Sequence, residues 1–221
     1  MTGPSSGSTV QAVAESITEA VRQGQLAPGQ RLIEADFTRR LGVSRSSVRE
    51  AFQRLTADGL LSFVPNKGVT VRQYSRKEIN DLFQVRAALE SLAVRLATPA
   101  LAASPAALHD VVEALTAAEL MGDTVALSEQ NRRFHDVIVS AADNPLLSQQ
   151  LERLRNSVYW LQFRVLVDRD SMYRTNQQHR DMAAAILAGQ SADAEAVMQA
   201  HVTLACTLIQ NLPDALFAVE L

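Results

Sequence analysis

Across 221 residues there is one cysteine, Cys206. A lone thiol excludes an internal disulfide framework and fits a reducing, cytoplasmic setting. Aromatic residues make up only 5%, while Ala and Leu are abundant, a balance that favours helix. No apolar run approaches the ~20 residues needed to span a bilayer, so no membrane partner is expected. Residues 1–9 carry no charge at all. That stretch, rich in Gly, Ser and Pro, lacks the basic and apolar regions of a signal peptide and predicts a disordered tail. A strong net charge is missing too: the sum is -3.

What is present is unevenly spread. Hydrophobic residues reach 47%, enough for a proper core, and the length allows one large domain or two ordinary ones. Residues 10–76 hold ten Lys/Arg against six Asp/Glu, and residues 77–221 hold eleven against eighteen. A basic first third on an acidic remainder predicts that only the first third meets a polyanion.

That first third reads as a winged helix-turn-helix over residues 10–74. Val10, Val13, Ile17, Ala20 and Val21 mark one helical face as far as about Gly24. Pro28-Gly29 punctuates a turn, and a short helix follows from about Glu34 to Leu41. Gly42 then supplies the turn between two helices. Ser44 is placed to cap the next helix, whose buried face is Val48, Ala51, Phe52 and Leu55. Its opposite face carries Arg45 and Arg49 with Ser46 and Ser47 beside them. Such a helix suits a major groove, since arginine reads guanine edges bidentately while hydroxyls and free N-terminal amides hold phosphates. Gly59 predicts the helix stop. Leu60 to Val64 and Val69 to Arg72 predict two strands joined through Pro65, Asn66, Lys67 and Gly68. Asn66, Lys67 and Gly68 offer a cation and close backbone approach to DNA.

From residue 75 to 221 the pattern is helical throughout, in six segments. They run from about Ser75 to Ala97 with Pro99 as the stop, Ser104 to Met121, Asp123 to Ala142, Pro145 to Asp168, Ser171 to Ala188 and Ser191 to Leu212. Ser104 is expected as an N-cap with Pro105 at the first helical position. The whole is expected to be mainly α, with the second domain an antiparallel helical bundle. Tyr159, Trp160 and Phe163 are expected in core or dimer packing, and Cys206 as a small buried apolar residue.

Four histidines remain: His109, His135, His179 and His201. Asn131 lies four residues before His135, so both share one helix face. His135, His179 and His201 fall on separate helices of the bundle. They either converge on zinc or another borderline divalent transition metal such as nickel, or are hydrogen-bonded core and surface residues. His109 is expected at the surface.

Taken together, Leu26-x-Pro28-Gly29-x-x-Leu32, Leu41-Gly42-Val43-Ser44-Arg45-x-x-Val48-Arg49-Glu50-Ala51, Leu55, Asp58-Gly59-Leu60 and Pro65-x-x-Gly68-x-x-Val71 resemble the GntR superfamily of bacterial regulators. Ser46-Ser47 stands where that superfamily often has Thr-Pro. The helical part resembles the FadR-type (FCD) ligand-binding domain in its six-helix, VanR-like form. The matching residues are Val85-Arg86-x-x-Leu89-Glu90, Asn131-x-x-Phe134-His135, Asn144-Pro145, His179, Gly189-x-x-x-Asp193-Ala194 and His201. The resemblance implies a metal held by Asn131, His135, His179 and His201. Many relatives carry Asp at the Asn131 position, so this site has one negative charge fewer. It further implies that Arg86 faces the pocket, that a small organic acid is the effector, and that a homodimer binds double-stranded operator DNA as a repressor. An ion pair with Glu90, one turn on, is the other reading of Arg86. A metal-dependent hydrolase or lyase fused to a DNA-binding module is the alternative of another class, but no clear general base is in view and no enzyme is expected. A direct metal sensor is a third reading.

Overall fold

The computed structural model describes the backbone of residues 6–166 and 169–218, with side chains except at 6–8, 22, 156–166 and 169. The fold is mainly helical with one small two-stranded sheet. Contacts divide the chain into two compact units. One is built from the segment ending at Ser75 with Arg155–Trp160 and the C-terminal segment from Ala215. The other holds Arg76–Leu154 and Leu161–Asp214.

The first unit contains α1 (Ser6–Arg22), α2 (Glu34–Leu41), α3 (Arg45–Ala57), β1 (Leu61–Val64) and β2 (Gly68–Val71). The start of α1 corrects the expected tail: Ser6 to Thr9 form an added turn, because a helix already anchored through Val10, Val13 and Ile17 extends at little cost. Its apolar face packs on α3. Val48, Ala51, Phe52 and Leu55 are the buried stripe of α3, and Phe52 meets Phe37 of α2 edge to face at 5.6 Å. Between α2 and α3, Gly42 takes φ 65° and donates its N–H to the Thr38 carbonyl, a geometry that penalises any Cβ. The wing pairs antiparallel, with Leu61 opposite Val71 and Val64 opposite Gly68. Leu32 N–H donates to the Val69 carbonyl, tying the segment before α2 to β2.

The second unit contains α4 (Arg76–Ala103), α5 (Ala106–Met121), α6 (Thr124–Ala141), α7 (Pro145–Leu166), α8 (Arg169–Leu187) and α9 (Ser191–Gln210). Helix α4 packs against α9, α6 and α8, and α5 packs against α6 and α8. Two expectations need correction here. Pro99 does not stop the first helix, which runs on to Ala103. Pro99 and Arg95 both lie on the exposed face, so the carbonyl freed by the missing proline N–H is accessible to water. Ser104 does not cap α5: Pro105 occupies the N-cap position, and no side chain caps that end. At the start of α6, Asp123 caps the helix by accepting from the Val125 and Ala126 amides. Cys206 is half-buried rather than buried. The side chains of Tyr159, Trp160 and Phe163 lie outside the described residues.

Candidate nucleic-acid interface and metal centre

In the first unit, α3 presents the predicted contact residues at its N-terminal end. Ser44 Oγ accepts from the Ser47 amide at 3.1 Å, as an N-cap does. The same oxygen lies 2.7 Å from Ser46 Oγ and 2.9 Å from Ser47 Oγ. The three hydroxyls therefore form one cluster over the first turn. Arg45 stands exposed beside it. Arg49 is exposed as well, but its Nε and Nη2 donate to the two carboxylate oxygens of Glu34 at 3.1 and 3.0 Å. Arg49 holds the Glu34 carboxyl below its ordinary range. Nothing in the residue pattern points to this pairing, which spans the turn between α2 and α3. On the wing, Asn66 takes φ 64° and Gly68 φ 81°, the left-handed geometry of a tight loop, with Lys67 exposed between them. Phe63, beside that loop on β1, is 69% exposed. Outward alternation along a strand predicts such a position, yet an exposed aromatic there was not anticipated.

In the second unit, His135 on α6, His179 on α8 and His201 on α9 come together, all buried. Their ring centroids lie 5.6 Å (135–179), 5.2 Å (135–201) and 4.5 Å (179–201) apart. One potential ligand atom from each lies within 4.8 Å of the others. The helix faces follow from i,i+3/i+4 spacing: Phe134 and Ile138 anchor α6, Met182 and Ile186 anchor α8, and Met198 and Val202 anchor α9. His109 is exposed on α5, away from the cluster's buried setting.

The polar groups behind the rings are the part that sequence reading missed. His179 Nδ1 lies 3.3 Å from Asn176 Oδ1, and His201 Nδ1 lies 3.2 Å from Gln178 Oε1. Amide oxygens only accept, so both histidines carry their proton on Nδ1 and keep a lone pair on Nε2. Asn176 is itself held, its Nδ2 donating to Glu119 Oε2 on α5 at 3.2 Å. Burial, followed by the neighbouring His201 and His135, drives the pKa of His179 well below its ordinary value. Burial, then His135, lowers His201 to about 3. These two imidazoles are therefore neutral, the form that ligates metal.

The arrangement fits a metal on one specific count. His179 Nε2 is buried and has no hydrogen-bond partner among the described residues. A buried, unsatisfied nitrogen costs about 1–3 kcal/mol, and a metal ion would relieve that cost. Ligands ~2.1 Å from a shared zinc sit about 3.4 Å apart in tetrahedral geometry, so closure needs a shift on the order of an ångström. Asn131 lies one turn before His135 and is half-buried, and it makes no hydrogen bond among the described residues. Arg86 is 2% exposed and donates through Nε and Nη2 to Glu90 Oε1 at 3.0 and 2.6 Å. The ion pair with Glu90 is thus present. Arg86 Nη1 is nonetheless buried without a partner.

A family model described as bacterial regulatory proteins, gntR family, matches residues 9–71. A second, the FCD domain, matches residues 81–204. The chain belongs to the GntR family, with an FCD domain. An HTH-type transcriptional regulator from the TAR-I ttuE-ttuC' intergenic region of Agrobacterium vitis is 36% identical over 142 residues, covering 62% of this chain and 83% of that one. The transcriptional repressor GlaR of Escherichia coli K12 is 30% identical over 201 residues, covering 86% and 90%. The solved structure of E. coli McbR/YncC shares the fold, with a TM-score of 0.77 and 24% identity over 93% of this chain and 98% of that one. This GntR protein is a DNA-binding transcription regulator and not an enzyme, as its relatives are regulators. The hydrolase or lyase alternative finds no support among them. Among the described residues no single helix is long and apolar enough to cross a membrane.

Proposed function

We propose that this GntR regulator is a ligand-responsive repressor whose helical domain holds a divalent transition metal, zinc foremost, and reads a small organic acid through it. The observation that carries this reading is the buried triad of His135, His179 and His201 with its unsatisfied nitrogen. Asn131 is the fourth candidate ligand, contributing a neutral carbonyl oxygen. Arg86 contributes the unpartnered Nη1, a donor suited to one oxygen of a carboxylate bound at the metal. Repression is favoured by the named repressor GlaR among the relatives. Action on operator DNA supports a cytoplasmic location.

The DNA-reading residues on this proposal are Arg45 and Arg49, with Ser44, Ser46 and Ser47 at the phosphates and Asn66, Lys67 and Gly68 on the wing. One such helix reads few bases, so a two-fold dimer on a palindrome is expected. Residues 75–221 supply the dimer surface. On α4 a second apolar stripe, Leu82, Val85, Leu89, Leu92 and Leu96, repeats at alternating spacings of three and four, the period of a two-helix seam. Val85 and Leu96 are 50% and 42% exposed on it. Ligand must favour one arrangement of the paired reading heads to change operator affinity.

The test is operator binding by metal-loaded protein, titrated with carboxylates and sugar acids. Release of DNA by an acid only when metal is present supports the proposal, and acid response after complete metal removal rejects it. The existing Arg86–Glu90 pair favours a second reading, in which the metal alone is the signal. Metal titrated against operator affinity without any acid decides between the two.

A further inference from the structure

Arg86, Glu90 and His135 form one continuous buried chain of polar groups. Arg86 Nε and Nη2 grip Glu90 Oε1, and Glu90 Oε2 lies 2.8 Å from His135 Nδ1. All three side chains are buried to nine-tenths or more. Glu90 is not within reach of all three histidine ligand atoms, since the convergent group is His135, His179 and His201 alone. It stands behind His135 rather than beside the metal position. A carboxylate facing Nδ1 favours the proton there and leaves Nε2 as the ligand atom, as carboxylates behind metal-bound histidines do.

We propose that Glu90 is the positioning residue of this centre: locked by Arg86, its carboxylate sets the ring and tautomer of His135 so that Nε2 faces His179 and His201. The inference rests on the metal reading above and gives all three imidazoles a common logic. Asn176 and Gln178 on α8 accept from the Nδ1 of His179 and His201, while the Glu90 carboxylate on α4 faces the Nδ1 of His135 at 2.8 Å as an ion-pair contact not aligned as a hydrogen bond. Of the three groups only Glu90 is anionic, and it stands behind the histidine one turn from Asn131, whose amide is neutral. Glu90 thereby supplies from behind the ring a negative charge that Asn131 does not supply at the metal. It also joins the metal to Arg86, so an acid that engages Arg86 Nη1 acts on the same chain that holds His135.

Two variants and two readouts test this. Arg86→Met with Glu90→Met removes one positive and one negative charge together, so net charge is unchanged, and apolar replacement of a buried pair preserves folding in known cases. Glu90→Gln keeps an oxygen acceptor at the same place. Full-length proteins are titrated with cobalt(II) and zinc against a competing chelator, with the cobalt visible spectrum recorded. The double variant is expected to bind metal 10- to 100-fold more weakly with an altered cobalt spectrum, and Glu90→Gln to lose less. Wild-type affinity and spectrum in the double variant overturn the inference. In metal-free protein, long-range 1H–15N spectra are expected to place the His135 proton on Nδ1 in the wild type and to show mixed tautomers in the double variant. A wild-type His135 protonated on Nε2 overturns the role of Glu90 whatever metal binds. Wild-type protein that takes up neither metal rejects the metal reading itself.

Discussion

Truncating His179 to alanine separates the cost of the ring from the value of the ligand. The ring is 1% exposed and packs 4.6 Å from Phe134 and 4.5 Å from His201, centroid to centroid. Removing a buried side chain of this size costs on the order of 2–5 kcal/mol in packing and cavity. Against that, the variant no longer buries an unsatisfied Nε2, a relief of about 1–3 kcal/mol. The metal-free protein should therefore lose only ~1–2 kcal/mol. The metal-loaded protein should lose far more. A ligand that binds only the folded state stabilises by ~4.1 kcal/mol at a thousandfold excess over Kd. At ~2–4 °C per kcal/mol for a chain of this size, zinc should raise the wild-type Tm by roughly 8–16 °C. With His179 gone, two imidazoles remain and the rise should nearly vanish. The assay is differential scanning calorimetry of both proteins in chelator and in zinc, following the transition of the helical unit. An undiminished zinc-induced rise in His179→Ala would refute the assignment of the ligand. A metal-free variant that cannot fold would refute the offset between cavity and buried nitrogen.

Arg49→Ala should abolish operator binding while leaving the melting temperature nearly unchanged, because among the described residues its side chain is tied by the exposed pair with Glu34; full-affinity binding in a fluorescence anisotropy titration would count against base reading. Lys67→Ala should weaken binding to all sequences alike and lower the salt slope by about one unit. A defect confined to one base position would instead make it a base reader. His201 titrates at about 3 when folded and near 6.5 when unfolded, and His179 is lowered as well. Between those values the unfolded chain binds protons that the folded chain does not, so metal-free stability is full above about pH 6.5 and falls with acid toward pH 3. Urea midpoints that rise or stay level from pH 7 to pH 5 would contradict this. Phe52→Ala should destabilise the first unit by ~3–5 kcal/mol, since Phe52 is fully buried against Phe37.

Local signals carried most of the fold. Gly42, Ser44 and the stripe at Val48, Ala51, Phe52 and Leu55 each state a turn, a cap and a buried face within a few residues, and α2 and α3 follow them closely. Errors arose where a local preference met a nonlocal fact. Pro99 ends helices in isolation, but α4 is held against α6, α8 and α9, and the proline falls on its wet face. Ser6 to Thr9 look like a linker by composition, but the anchored apolar face behind them carries the helix one turn further. Neither packing fact is written in the residues concerned.

The candidate site divides in the same way, and the division bears on how the regulator works. The three histidines were legible because imidazole is scarce in this chain and each lies on an amphipathic helix. The polar groups behind them were not, because Asn176, Gln178 and Glu90 are ordinary helix residues until tertiary packing turns them toward a ring. The Arg49–Glu34 pair is of the same kind: the arginine stood out as a candidate reader of bases, and the carboxylate that holds it was not visible. Each unit thus carries a candidate functional cation already engaged by a glutamate, Arg49 by Glu34 and Arg86 by Glu90. On the proposed function, an acceptor group, a DNA phosphate or base edge in one case and an organic acid in the other, would have to compete with a carboxylate already in place. Such competition lowers affinity for a lone anion and favours a ligand that makes further contacts at once. Selectivity in either unit is then set by the whole ligand rather than by its charge.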